Sequence, residues 1–386
     1  MQFDLVFEGG GAKGSVFVGA MEVFEARGHT ARRFVGTSAG AITATLMAAG
    51  YDAAAMLKAV NEKLPNGKPR FSSFMDIPSS FEKSDIENSL TYDIFKKVDL
   101  PWVPQMAEGY IDDKIINGLM KVDAYREMFS FIERGGLYSG DTFLAWIREK
   151  LDADGRSLGN ATLAEFAQKT GNDLTMVASD TMAHEMLILN HRTAPNCPLA
   201  WAVRMSMSIP FVWQEVRWQK EWGLYRGTDI SGHTIVDGGV LSNFPIDLLT
   251  SRDAEVQAVM GDTDPDAVPN LGLLIDESLE VPNSGSAQKN TGTDKLEKGL
   301  LDNAKRLRTV QRVTRLVDTM TDAHDKFAIA EHADEVCRLP AKGYGTTEFG
   351  MDDNRLQALI EGGRTAMTSY LATHEAAIEK KMSIHA

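Results

Sequence analysis

The stretch Phe7-Glu8-Gly9-Gly10-Gly11-Ala12-Lys13-Gly14-Ser15-Val16-Phe17-Val18 decides how the rest of the chain is read. Residues 2 to 8 before it form a short apolar run that predicts a buried strand. Behind the glycines, the spacing of Val16, Ala20, Val23 and Phe24 predicts a helix ending near Gly28. "RRFVG" (32–36) then predicts a second strand, and "AGAITATLMAAG" (39–50) a second helix closed by Gly50. Strand, helix, strand and helix with tight connections specify the α/β class: a three-layer α/β/α arrangement around a central, mostly parallel sheet.

The glycines at 9, 11 and 14 satisfy G-x-G-x-x-G, so three readings compete. A P-loop needs lysine after its last glycine, and here the order is Lys13-Gly14-Ser15, which excludes it. A dinucleotide-binding regulator needs an acid at the end of the second strand, and that place is taken by "FVGTSAG". The third reading uses the same backbone differently. A glycine run at a helix N-terminus aims several N–H groups one way, which stabilises the oxyanion formed when an ester carbonyl is attacked.

Gly36-Thr37-Ser38-Ala39-Gly40 is G-x-S-x-G between a predicted strand and a predicted helix, the context of a nucleophile elbow. The flanking glycines allow the sharp turn that projects Ser38. A serine hydroxyl needs a base, yet none of the eight histidines stands in a convincing turn after a late strand; His191 and His233 come nearest. Ile235-Val236-Asp237-Gly238-Gly239 instead places an acid at a strand end, followed by two glycines that admit another backbone. Aspartate is a weak base in water, so this assignment requires a desolvated site.

A formal net charge of -14 argues against a nucleic-acid partner, which would draw its affinity from clustered Lys and Arg. Cys197 and Cys337 lie in no metal-type spacing, and neither a metal nor another cofactor is called for. The start "MQFDLVFE" lacks the pattern of a secretory signal, and no apolar run approaches the ~20 residues of a membrane span. The expectation is a cytoplasmic protein with at most surface contact to a membrane; export by a dedicated secretion system would leave no such mark.

Residues 61–140, rich in Pro, Ser and Lys with scattered aromatics, read as an insertion or lid within one catalytic domain spanning 1–386. A capped helix is expected at "SGDTFLAWIREKLDA", a shorter one at "TLAEFAQK", paired strands at "DLTMVASD" and "EMLILN", and a helix stopping before Pro210. "TIVDGGVLSNFPIDLL" predicts strand, glycine turn and helix, and "LGLLID" another buried strand. Residues 277–294 have the composition of a mobile loop, and a long amphipathic helix is expected at 295–320.

"EGGGAKG", "GTSAG" and "VDGG" in this order resemble the patatin-like phospholipases. "RMSMSIPFVW" (204–213) takes the place of that family's serine-rich segment before a proline, "NFPIDLL" (243–249) resembles the stretch after its aspartate, and "EFGMDDNRLQALIEGGRTAM" (348–367) resembles its closing helix. The resemblance implies a serine acyl hydrolase of phospholipase A or lysophospholipase type working without histidine: Ser38 as nucleophile, Asp237 as base and Gly9, Gly10 and Gly11, with Ala12, Lys13 and Gly14, around the oxyanion. Gly36, Gly40, Gly238 and Gly239 support these turns. Substrates would be phospholipids or other fatty acyl esters met at a membrane surface, with Phe71, Phe74, Phe81 and Trp102 either lining an acyl channel or packing in the core. A soluble carboxylesterase or thioesterase, and dependence on a regulatory partner or small activator, stay open, as do headgroup, acyl position and oligomeric state.

Overall fold

In the computed structural model, residues 1–79, 81, 83–92, 123–261, 268–282 and 327–385 are described. Strand β1 (Gln2–Phe7) is buried from Phe3 onward, because a strand covered by helices on both faces must be apolar on both. Its side chains alternate: Phe3, Leu5 and Phe7 point into one apolar cluster and Val6 into another. Parallel to β1 run β2 (Thr30–Thr37) on one side and β9 (Asn270–Asp276) on the other. β4 (Asp173–Asp180) extends the sheet beyond β2, and β10 (Val336–Pro340) beyond β9. Three antiparallel additions complete it: β5 (Glu185–Leu189), β7 (Val216–Arg217) and β8 (Thr234–Asp237). β3 (Gly136–Tyr138) and β6 (Phe211–Trp213) form a separate parallel pair.

Helices α1 (Val16–Ala26) and α2 (Ala39–Ala48) follow β1 and β2 directly, and α3 (Ala53–Val60) follows α2. The closing helix Asp353–His385 returns to lie on α1. Glycine sets that crossing. A Cβ on Gly19 would stand 1.8 Å from Ile360 O, and one on Gly363 would stand 2.1 Å from Val16 O. On the opposite face Phe244, Ile246, Leu248 and Leu249 pack under Val6, Val35 and Val177, giving the three layers the sequence predicts.

The helix expected at "SGDTFLAWIREKLDA" is found as Asp141–Asp152, and its start is held both locally, where Ser139 Oγ accepts from Asp141 N at 3.2 Å, and from a distance. Gly140 occupies the cap position, and the Asp76 carboxylate accepts from Gly140 N (2.8 Å) and Thr142 N (2.9 Å). Asp76 thereby ties its own segment to the start of this helix. The aromatic residues of the 61–140 stretch part company. Phe71 and Phe74 pack on Trp146, with centroids 5.5 and 5.2 Å away, whereas Phe81 packs at a tilt against Phe129 in a separate cluster. Trp102, the helix expected at 295–320 and residues 283–294 of the expected loop lie outside the described residues.

Candidate active site

β2 ends at Thr37 and α2 begins at Ala39, leaving Ser38 alone to reverse the chain at φ 53° and ψ -119°. Such a backbone costs about 1–3 kcal/mol for a residue with a side chain and persists only where its surroundings enforce it. Gly36 and Gly40 are part of that enforcement. A Cβ on Gly36 would lie 2.4 Å from Gly40 C, and one on Gly40 would lie 2.1 Å from Phe7 O. The turn can close against β1 only with both glycines in place.

Ser38 and Asp237 are 199 residues apart, and strand register joins them. Thr37 pairs with Val177 and Asp237 with Ala178, consecutive residues of β4. Because β5 runs along the other edge of β4 over Met176–Asp180, β2 and β8 share one edge and meet end to end. Gly238 makes room for this junction: a Cβ there would fall 2.3 Å from Val177 O. Ser38 Oγ then donates to Asp237 Oδ2 at 2.6 Å, and Gly239 N donates to Asp237 Oδ1 at 2.7 Å.

Both side chains are buried, and burial pushes the Asp237 carboxyl up to about 7, against the lowering effect of the bonds from Ser38 and Gly239. The desolvated setting that the sequence reading requires is therefore present. Such a carboxylate accepts a proton far more readily than one in water.

The amides of the glycine loop are not equivalent. Gly9 N donates to Asn243 O (3.0 Å), Ala12 N to Thr346 O (2.9 Å) and Lys13 N to Gly10 O (3.2 Å), so these three amides are already committed. Among the described residues no acceptor meets Gly10 N or Gly11 N, and both glycines line the same cleft as Ser38 and Asp237. Gly11 sits at φ +55°, where a Cβ would also strike Thr346 O at 2.2 Å. Gly9 and Gly14 are glycines for packing: a Cβ would fall 2.1 Å from Asn243 Oδ1 and 2.7 Å from Ala39 Cβ, respectively.

Asn243 and Glu8 escape the sequence reading. Asn243 Nδ2 donates to Glu8 Oε1 (3.1 Å) and Gly9 O (3.0 Å), fixing the start of the glycine loop to the turn after Asp237. No spacing rule marks an asparagine six residues past an aspartate. The buried Lys13 ammonium pairs with the exposed Glu277 carboxylate. Neither histidine joins the site. His191 stands beside Asp173 at the far end of β4, and His233 bonds Asp180 through Nδ1 at 2.7 Å, four residues before Asp237 or about 13 Å along the strand. Where a ribose-binding acid would stand after β2, Thr37 Oγ1 donates to Ser242 O at 3.2 Å.

Ser38 and Gly11 lie at the junction of two cavities. One is an apolar channel running along α2 past Ile42, Thr43 and Leu46 to Met56 and Ala59 of α3, walled by Phe71, Phe74, Phe143 and Trp146. The other is a wide polar cleft bearing Glu8, Lys13, Asp276, Glu277 and Arg338. Phe81 is not among the described residues lining either one. Among the described residues no helix is long and apolar enough to cross a membrane.

A family model described as Patatin-like phospholipase matches residues 5–250. The uncharacterized protein YqhO of Bacillus subtilis is 30% identical over 380 residues, covering 96% of this chain and 98% of that protein. The probable lipid hydrolase 463L of Invertebrate iridescent virus 6 is 22% identical over 246 residues, 63% of this chain and 62% of its own. Among solved structures, VipD from Legionella pneumophila aligns over 96% of this chain and 67% of its own at 17% identity, with a TM-score of 0.45. ExoU from Pseudomonas aeruginosa, in its complex with SpcU, aligns over 99% of this chain and 52% of its own at 18% identity, with a TM-score of 0.37.

Proposed function

Because this chain belongs to the patatin-like phospholipase family and is a lipid acyl hydrolase, we propose that it cleaves fatty acyl esters of membrane lipids, in the phospholipase A or lysophospholipase manner, through a Ser38–Asp237 dyad. The observation that carries this reading is the 2.6 Å bond between Ser38 Oγ and a buried Asp237 Oδ2. As Ser38 Oγ attacks the ester carbonyl, Asp237 takes its proton, and the N–H groups of Gly10 and Gly11 hold the tetrahedral oxyanion. Collapse expels the alcohol, which leaves with the proton from Asp237. Asp237 then deprotonates a water that attacks the acyl-serine, and the fatty acid departs as the proton returns to Ser38.

The two cavities divide the substrate at its scissile bond. The acyl chain enters the apolar channel along α2, and the alcohol portion stays in the polar cleft. Within the 61–140 stretch, Phe71 and Phe74 serve as cover, forming a wall of the channel.

Release of fatty acid from phospholipid vesicles tests the assignment: Ser38→Ala and Asp237→Ala each abolish it. A fluorophosphonate probe labels Ser38; labelling at Ser206 or Ser208 instead would move the nucleophile. Comparing vesicles with short-chain dissolved esters separates a lipase from a carboxylesterase or thioesterase that prefers monomers.

A further inference from the structure

We propose that the segment Arg204–Ser208 is a brace that positions both members of the dyad at once, with Ser206 and Arg204 as its positioning residues; the proposal rests on the Ser38–Asp237 reading above. Ser38 N donates to Ser206 Oγ at 3.0 Å, and Ser206 Oγ donates onward to Val177 O at 2.6 Å. Two residues further, Ser208 O accepts from Asp237 N at 2.9 Å. One short turn thus holds the backbone of the nucleophile with a side chain and the backbone of the base with a carbonyl.

Both serines are fully buried, so neither bond competes with water. The first bond falls where it is most needed. Ser38 sits in a strained conformation, and its amide would otherwise be a buried donor without an acceptor. It also means that the Ser38 amide is not offered to an oxyanion, which leaves that task to Gly10 and Gly11.

Arg204 locks the brace. It is 2% exposed, and its guanidinium makes no salt bridge among the described residues. It donates instead to Ser208 Oγ, to Ser139 O (2.8 Å) and to Gln214 O (3.0 Å), while Ser208 Oγ donates back to Arg204 O at 2.7 Å. Burying a cation on neutral oxygens is unfavourable unless its donors find acceptors, and here three different segments supply them to both terminal nitrogens. Gly140 is required beside it, since a Cβ there would lie 2.4 Å from Arg204 Nε. Lysine has one nitrogen and cannot span these acceptors.

The test is Ser206→Ala, assayed on a dissolved short-chain ester beside wild type and Ser38→Ala. Three readouts are taken: kcat and KM, the rate of fluorophosphonate labelling, and the pH at which kcat/KM is half-maximal. The brace predicts that kcat and the labelling rate fall at least tenfold with KM unchanged. It also predicts that the half-maximal pH moves upward, because a loosened Ser38 no longer donates to the Asp237 carboxylate. A serine that only supports the fold would lower the melting midpoint and leave that pH in place. Should Ser206→Ala be recovered unfolded, the same readouts on Arg204→Lys decide, with the same expected direction. Wild-type kcat and half-maximal pH in the folded variant, with Ser38→Ala inactive, would overturn the brace alone. Activity retained in Ser38→Ala would overturn the dyad and the brace with it.

Discussion

Thr37 and Asp237 are bound to consecutive residues of β4, Val177 and Ala178, so two strands arriving from opposite directions end against each other. Ser38 is the first residue past one strand end, and Asp237 is the last residue of the other. Their contact is a product of sheet register, and rigid strands on either side hold it to hydrogen-bond distance.

Activity follows the ionisation of Asp237. A carboxyl raised to about 7 is protonated and unable to act as base below that pH. We expect kcat/KM to be half-maximal near neutrality and to reach its plateau about one to two pH units higher. The other charged groups lining the cleft include Lys13 with Glu277 and Arg338 with Asp276, which are paired with each other. A profile already flat from pH 5 upward would contradict the role of Asp237.

Stability moves the opposite way. The folded protein holds the Asp237 proton to about 7 while the unfolded chain loses it near 4, so folding is penalised increasingly as pH rises between these values. Asp237→Asn removes that penalty. It should be inactive, melt near the wild-type temperature at pH 4 and melt several degrees higher at pH 8, with an upper bound of about 4 kcal/mol. Thermal scans at the two pH values check the sign.

Gly11→Ala should lower kcat by at least about 10²-fold, the usual scale for losing one oxyanion donor. The added methyl group meets Thr346 O and forces the backbone away from φ +55°, which turns the Gly11 amide aside. Gly28→Ala, where nothing stands within 4 Å of the new atom, controls for the cost of a positive φ alone.

Ala59→Leu should shorten the apolar channel at its α3 end. Turnover of long-chain esters should fall at least about tenfold relative to butanoyl esters, because two or three methylenes denied burial lose about 0.8 kcal/mol each. A parallel loss for all chain lengths would indicate general distortion.

The turns at Gly36–Gly40 and Asp237–Gly239 were legible in the sequence because their backbone geometry permits few residue types. The glycine loop was legible as a loop, but not amide by amide: which N–H groups remain unspent depends on Asn243 and Thr346, which approach from elsewhere in the chain. Phe71, Phe74 and Phe81 look alike in the sequence, and only the third dimension sends two to the channel and one to Phe129. The start of the helix Asp141–Asp152 is held by Ser139 beside it, which the sequence shows, and by Asp76, a contact no local pattern encodes.

The strand carrying the glycine loop owes one of its two neighbours to residues beyond the family match. β9 begins at Asn270, and the closing helix that rests on α1 begins at Asp353. A polypeptide trimmed to residues 5–250 would keep Ser38, Asp237 and the loop itself, yet leave β1 with a raw edge and α1 stripped of its outer layer. Complementation by the separately expressed remainder, rather than activity of the trimmed piece, is what this architecture favours.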